Sequence, residues 1–231
     1  MQQTDNTYIL SSPALSEELI SQSFEPDNNA NVRAITAQSG GRNTVWHITA
    51  GNHEGVLRHY YRGGLAAKLS RDSFLWTGIN RCRSVVEYRL LELMQSAGLS
   101  VPEPMGARVQ RNGFYYTCDL ITRYIPNTKT FGNLLTHDRQ AAELWNATGS
   151  AIKALHDNGI WHSDLNAHNI LVAADHQVTI IDFDRCKKRH GDSWKQSNLE
   201  RLKRSLDKLK RVDNINYSET DWQLLLDAYN R

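Results

Sequence analysis

The sequence is poor in cysteine, and its few cysteines are not arranged to staple or metallate a fold. Cys82, Cys118 and Cys186 are odd in number, widely spaced and form no C-x-x-C. That excludes a disulfide framework and a cysteine zinc site, and it fits a reducing compartment. Long apolar runs are also missing. The longest, Ile170 to Ala174, falls far short of the ~20 residues needed to span a bilayer. The start, Met1-Gln2-Gln3-Thr4-Asp5, has no basic region followed by an apolar stretch, so no secretory signal is expected. No repeat or low-complexity segment appears. No G-x-x-x-x-G-K-[ST] is present, which leaves a P-loop NTPase unsupported. The expectation is a soluble protein, cytoplasmic or attached to a membrane surface.

Strong overall charge is absent as well: 27 basic and 25 acidic residues leave a net +2. The distribution is uneven. Residues 56–89 carry a net +5 and residues 185–211 a net +8, so the remainder carries −11. Two basic islands in an acidic chain point to local contact with an anionic partner. No nucleic-acid motif accompanies them and no aromatic residues interleave with them, so no nucleic-acid partner is expected. At 231 residues, 40% apolar and 23% charged, the chain can bury a core unaided.

The patterning divides the chain in two. Residues 5–11, 32–37, 44–50, 55–61, 105–110 and 114–122 read as strands, with a short helix after Ser12-Pro13 and a main helix over 83–96. Helices are expected over 138–158, 194–211 and 219–230, with a strand pair at 169–173 and 177–181. The expected class is α+β, with a β-rich lobe over 1–124 and a helical lobe over 125–231. A cleft between two lobes is a usual ligand site.

The most informative segment is Trp161-His162-Ser163-Asp164-Leu165-Asn166-Ala167-His168-Asn169, followed by Ile180-Ile181-Asp182-Phe183-Asp184. Phosphoryl transfer needs a carboxylate to orient the acceptor hydroxyl, and an amide oxygen and a second carboxylate to hold divalent metal on the phosphates. Asp164 and Asn169 lie five apart at the start of a strand, and a hairpin returns Asp182 towards Asn169. His162 reads as a buried scaffold histidine and His168 as packing. A zinc site from His162, Asp164 and His168 would leave Asp182 unused. Ser39-Gly40-Gly41-Arg42-Asn43-Thr44 is either a common hairpin or a phosphate-covering turn. In the second reading Gly40 and Gly41 allow close backbone approach, and Arg42 and Thr44 add donors.

The loop pattern resembles the kinase catalytic loop H-R-D-x-x-x-x-N and the D-F-G metal loop. In that resemblance Val56-Leu57-Arg58 stands where V-A-I-K would. Arg58 replaces the phosphate lysine, with Arg62 or Lys68 as alternatives if the register shifts. Glu87 is Arg58's carboxylate partner, or else an exposed helix acid. Main-chain groups of 121–124, Ile121 and Arg123 among them, would meet an adenine. Asp-Phe-Asp replaces D-F-G, and Asn166 replaces the loop lysine. Only 47 residues follow Asp184, too few for a peptide-docking base, so a small hydroxyl acceptor is expected.

Over roughly residues 30–211 the chain is similar to the lipopolysaccharide kinase family, and most to its branch acting on 3-deoxy-D-manno-octulosonic acid (Kdo). The similarity lies in residues 56–67, His162 to Leu171, Ile181-Asp182-Phe183-Asp184 and Asn198 to Leu206. It implies a bilobal protein-kinase-like fold and an ATP-dependent sugar kinase of lipopolysaccharide core biosynthesis. Phosphate would pass to the 4-hydroxyl of Kdo on Kdo-lipid A. Asp164 would be the catalytic aspartate, Arg58 and Glu87 the phosphate cation and its partner, and Asn169 and Asp182 the Mg²⁺ ligands. The setting would be the cytoplasmic face of the inner membrane, with the protein peripheral and its basic segment 185–211 against anionic lipid. The alternatives are a kinase for another sugar such as a core heptose, a nucleotide-binding pseudokinase, or an anionic-lipid module without chemistry.

Overall fold

The computed structural model describes the chain apart from residues 1, 14, 16, 26–31, 36–44, 51, 63–70 and 137–139. The chain divides into two compact units. One comprises Met1–Glu92 and Glu103–Tyr124. The other comprises Leu93–Pro102 and Ile125–Arg231.

The first unit is built on an antiparallel sheet. Its strands are β1 (Gln2–Thr4), β2 (Thr7–Ser11), β3 (Val32–Ile35), β4 (Val45–Ala50), β5 (His53–His59), β6 (Phe74–Leu75), β7 (Pro104–Asn112) and β8 (Tyr115–Arg123). The order is β1-β2-β7-β8-β5-β4-β3, with β6 pairing β8 off this path. The sequence pattern marks most of these strands but not β1 or β6. Helix α1 (Glu17–Ser23) lays Ile20 and Phe24 on the sheet. Together with Leu15, Ile48, Leu57, Met105 and Ile121 they form one apolar cluster. Gly106 makes this approach possible, because a Cβ there would lie 2.7 Å from Ile20. Helix α2 (Arg83–Ser96) has the bounds its apolar run suggests and buries Val85, Tyr88, Leu91 and Met94.

The second unit is mainly helical. After β9 (Thr128–Thr130) come α3 (Phe131–Leu134), capped by the Thr130 hydroxyl, and α4 (Ala142–Asp157). Then follow β10 (Ile160–Trp161), β11 (Ile170–Ala173), β12 (Val178–Ile180) and β13 (Lys187–Lys188). The last elements are α5 (Lys195–Val212) and α6 (Glu219–Tyr229). A three-stranded sheet runs β12-β11-β9, and β10 pairs β13. Helix α4 crosses α6 so closely at Gly149 that a Cβ there would sit 2.2 Å from the Leu225 carbonyl oxygen. Trp145 is fully buried, edge-on to Phe131 and stacked with Tyr217. Helix α6 starts in a reciprocal cap between Ser218 and Asp221, which satisfies two of its orphan donors. Residues 93–102 group here because the Ser100 carbonyl accepts from the Ile180 N–H. The Ser100 and Thr179 hydroxyls also lie 3.1 Å apart.

Candidate active site

The loop between β10 and β11 is held from within and from behind. It is entered through Gly159, whose φ of +73° and close neighbour, the Arg189 carbonyl oxygen, suit glycine. His162 is fully buried. Its Nδ1 accepts from the Asp164 N–H at 3.1 Å, so the proton sits on Nε2, which donates to the Ile181 carbonyl at 3.0 Å. Burial pushes its pKa down. His162 is therefore a neutral tie between the loop and the strand leading to Asp182, as a scaffold histidine should be.

Asparagines shape the remainder of the loop. The Asn166 and Asn169 amides both donate to the Asp164 carbonyl, at 3.0 and 2.9 Å. Asn166 Oδ1 accepts from the His168 and Asn169 N–H groups. With its nitrogen so occupied, Asn169 keeps its amide oxygen for another ligand. Leu165 and Ala167 anchor the loop in the core. His168 packs against Gly132.

Helix α5 backs the loop with one polar line. Leu199, Leu202, Leu206 and Leu209 are its buried stripe. Beside them Asn198, Arg201 and Ser205 meet the loop at His162, Asp164 and Ala167 respectively. Asn198 bonds both main-chain groups of His162. Arg201 donates through Nε and Nη2 to Asp164 Oδ1, at 3.0 and 2.5 Å. The Ser205 hydroxyl accepts from the Ala167 N–H at 3.2 Å. Asn198 also accepts from His156 Nε2, whose Nδ1 faces the Tyr229 hydroxyl. Burial pushes the His156 pKa down to about 4.

Asp182 lies where the hairpin returns it. Ile170 pairs with Ile180, and the Ile181 N–H donates to the Asn169 carbonyl at 2.9 Å. The next residue is Asp182, with φ +64°. Aspartate tolerates this left-handed conformation better than most residues, but such positions are strained and cluster at functional sites. Phe183 packs edge-on against His162, and the Ser163 hydroxyl donates to the Asp184 carbonyl at 2.6 Å. Among the described residues no three His, Cys, Asp or Glu side chains gather as a metal cluster. The donor set on offer is instead one carboxylate and one amide oxygen, hard oxygen ligands of the kind Mg²⁺ takes.

In the first unit Arg58 Nη2 meets Glu87 Oε1 at 2.5 Å. Glu87 is buried, which corrects the exposed-acid alternative. The Tyr60 hydroxyl completes the group, donating to Glu87 Oε2 at 2.6 Å, with the Arg58 guanidinium over its ring. Arg62 lies over Phe74 instead. Gly40, Gly41, Arg42, Thr44 and Lys68 fall outside the described residues. Ile121 is a buried ladder residue between Leu57 and Gly106. The Arg123 N–H donates to the Glu103 carbonyl, and its side chain bonds Glu103 and His53. The Tyr124 N–H donates to Glu54. These two main-chain donors of 121–124 are thus already used by the sheet.

The basic segment splits in two. In α5, Arg201, Lys203, Arg204 and Lys210 have partners within the fold. Lys187 and Lys188 of β13 are exposed, and Lys187 and Arg189 flank the Trp161 ring. No helix among the described residues is long and apolar enough to cross a membrane. Sequence reasoning singled out Asp164, Asn169, Asp182, Arg58 and Glu87, of which the structure pairs Arg58 with Glu87 and returns the chain before Asp182 to Asn169. It missed the roles of Tyr60, Asn198, Arg201 and Ser205. The only signal for the three on α5 was polar side chains at i, i+3 and i+7 beside a leucine stripe.

The buttressed loop between β10 and β11, an aspartate just past the next hairpin strand and an Arg58–Glu87 pair joining β5 to α2 fit a phosphotransferase of the protein-kinase-like class. The solved structure of spectinomycin phosphotransferase APH(9)-Ia, in complex with ADP and spectinomycin, shares this fold. Its TM-score is 0.53 at 10% identity, covering 87% of this chain and 74% of that one. The chain belongs to the lipopolysaccharide kinase (Kdo/WaaP) family, which it matches over residues 29–229. It is similar to proteins described as 3-deoxy-D-manno-octulosonic acid kinase. That of Vibrio cholerae is 41% identical over 89% of this chain and 87% of its own. That of Mannheimia succiniciproducens is 42% identical over 84% of each chain. One from Haemophilus influenzae is 37% identical over 99% of this chain and 98% of its own.

Proposed function

We propose that this chain transfers the γ-phosphate of ATP to the 4-hydroxyl of Kdo on Kdo-lipid A. The reading rests first on Asp164, which the two asparagines and α5 fix at the mouth of the loop. The Kdo kinases it resembles along most of its length supply the acceptor class.

In this mechanism Asp164 accepts a hydrogen bond from the acceptor hydroxyl and takes its proton late. The acceptor oxygen forms a bond to the γ-phosphorus as the bond to the β-bridging oxygen breaks. ADP leaves with that electron pair. Asn169 and Asp182 would hold Mg²⁺, which neutralises charge on the β- and γ-phosphates. Arg58, oriented by Glu87 and Tyr60, steadies the phosphates. Gly40, Gly41, Arg42 and Thr44 are proposed to cover them. Ile121 and Arg123 border the proposed adenine site, where free main-chain donors would have to come from neighbouring positions. Most of the acceleration is positioning and charge neutralisation.

The acceptor is anionic, and so is the membrane surface that carries it. The anionic surface is assigned to the basic segment 185–211, chiefly residues 185–190 with Trp161, since a tryptophan flanked by cations suits a lipid interface. By this reading the protein works as a peripheral enzyme at the cytoplasmic face of the inner membrane. The test is an acceptor panel with Mg-ATP: Kdo-lipid A, a heptose-bearing core and an aminoglycoside. Phosphorylation of Kdo-lipid A alone, with NMR placing the phosphate at position 4, is expected. Preferential modification of the heptose would move the assignment to that sugar.

A further inference from the structure

The catalytic loop carries no cation of its own, because Asn166 stands at the place where the kinase pattern has a lysine. The Asn166 side chain is spent on closing the turn, donating to the Asp164 carbonyl and accepting from two backbone N–H groups. A guanidinium reaches the same place from α5. Arg201 grips a single oxygen of Asp164 with Nε and Nη2. Among the described residues no other hydrogen bond to this carboxylate is formed. Oδ1 is thereby anchored and Oδ2 is left to face an acceptor.

Two observations separate this pair from an ordinary surface ion pair. Arg201 lies between Asn198 and Ser205, and all three bond successive points of the loop. Its position is thus part of a three-point attachment. Arg201 and Asp164 side chains are also about half exposed, at 46% and 51%. An exposed pair contributes little to folding, so stability alone gives it small reason to be built so carefully.

We propose that Arg201 is a positioning residue for phosphoryl transfer, holding the Asp164 carboxylate by Oδ1 and supplying the positive charge that the loop lacks. The inference rests on the reading that Asp164 receives the acceptor hydroxyl. In the transition state Arg201 keeps Oδ2 aimed at that hydroxyl.

The test compares wild type with Arg201→Ala, Arg201→Lys, Asp164→Asn and Lys153→Ala, each in the whole chain. Each is assayed for transfer to Kdo-lipid A and for slow hydrolysis of Mg-ATP with water as acceptor. Arg201→Ala should melt near the wild-type temperature and keep its KM for Mg-ATP. Its kcat should fall about 10²-fold in both assays, the scale of losing one preorganised donor. Arg201→Lys should recover about a tenth of the wild-type rate or more, a single charged donor replacing the fork. Added methylguanidinium should rescue Arg201→Ala but not Asp164→Asn. Lys153→Ala, which removes a surface cation of α4 paired with Asp157, should match wild type. Wild-type kcat in Arg201→Ala, with Asp164→Asn inactive, would overturn the role of Arg201 and leave the base assignment standing. Full activity in Asp164→Asn would overturn the base assignment itself. A wild type that hydrolyses ATP but ignores Kdo-lipid A would overturn the acceptor, and the hydrolysis assay would still report on Arg201.

Discussion

Asn198 brackets the main chain of His162. Its amide donates to the His162 carbonyl at 2.7 Å, and its Oδ1 accepts from the His162 N–H at 3.3 Å. One buried side chain on α5 thus fixes the residue from which the proposed catalytic loop departs. Asn198→Ala removes both bonds and leaves two buried backbone groups and His156 unsatisfied. Each unsatisfied buried group costs about 1–3 kcal/mol, so a loss of roughly 3 kcal/mol or more in urea unfolding is expected. Turnover should fall by more than substrate binding. Asn198→Ala with wild-type stability would mean that the bracket is replaceable.

The His156 pKa is held at about 4 by burial, against about 6.5 in an unfolded chain. At pH above 6.5 both states are neutral and the contribution is complete. As pH falls from 6.5 towards 4 the unfolded chain takes up a proton that the folded one refuses. Stability then drops, by roughly 3 kcal/mol for this one group. His162, also depressed by burial, adds to the same trend. Unfolding free energies between pH 7 and 4 should show this fall, and His156→Gln should flatten it. An equal slope in wild type and His156→Gln would contradict the assignment.

Arg58 offers a direct test of the arginine-for-lysine exchange. Arg58→Ala takes the guanidinium from the buried Glu87 carboxylate and leaves its bond from the Tyr60 hydroxyl. Breaking such a buried pair costs roughly 3–5 kcal/mol, somewhat less here because Arg58 keeps some exposure. Its kcat/KM for Mg-ATP should fall at least about 10²-fold. Arg58→Lys should retain the fold and part of the activity, through one donor in place of a fork. Thermal melts and ATP titrations separate the two effects.

The strained backbone of Asp182 separates stability from function. Its φ of +64° suits glycine at little steric cost. Asp182→Gly should therefore stay within about 1 kcal/mol of wild type while losing turnover and any Mg²⁺-dependent stabilisation by ATP. Retained Mg²⁺-dependent stabilisation would remove Asp182 from the proposed metal site.

Much of this was readable in the sequence, where local pattern and tertiary role coincide. The run over 83–96, apolar and basic all round, reads as a helix and folds as α2 with those bounds. The Asp164–Asn169–Asp182 spacing was informative because a strand pair lies between its parts, and Glu87 was the natural partner for Arg58. Two-residue β6 was invisible, because Phe74–Leu75 becomes a strand only by pairing with Tyr115 and Tyr116. Helix α4 begins at Ala142 rather than near 138. The α5 seam was hidden for a different reason. Its cations read as one solvated face, and only the fold shows that Arg201 reaches Asp164 while Lys203 reaches Glu219.

The most direct measurement is mass spectrometry of purified Kdo-lipid A after incubation with Mg-ATP and either wild type or Asp164→Ala. The account predicts a gain of one phosphate on Kdo with wild type and none with Asp164→Ala, although both bind ATP. Transfer by Asp164→Ala at a near-normal rate, or unmodified Kdo-lipid A with wild type, would contradict it.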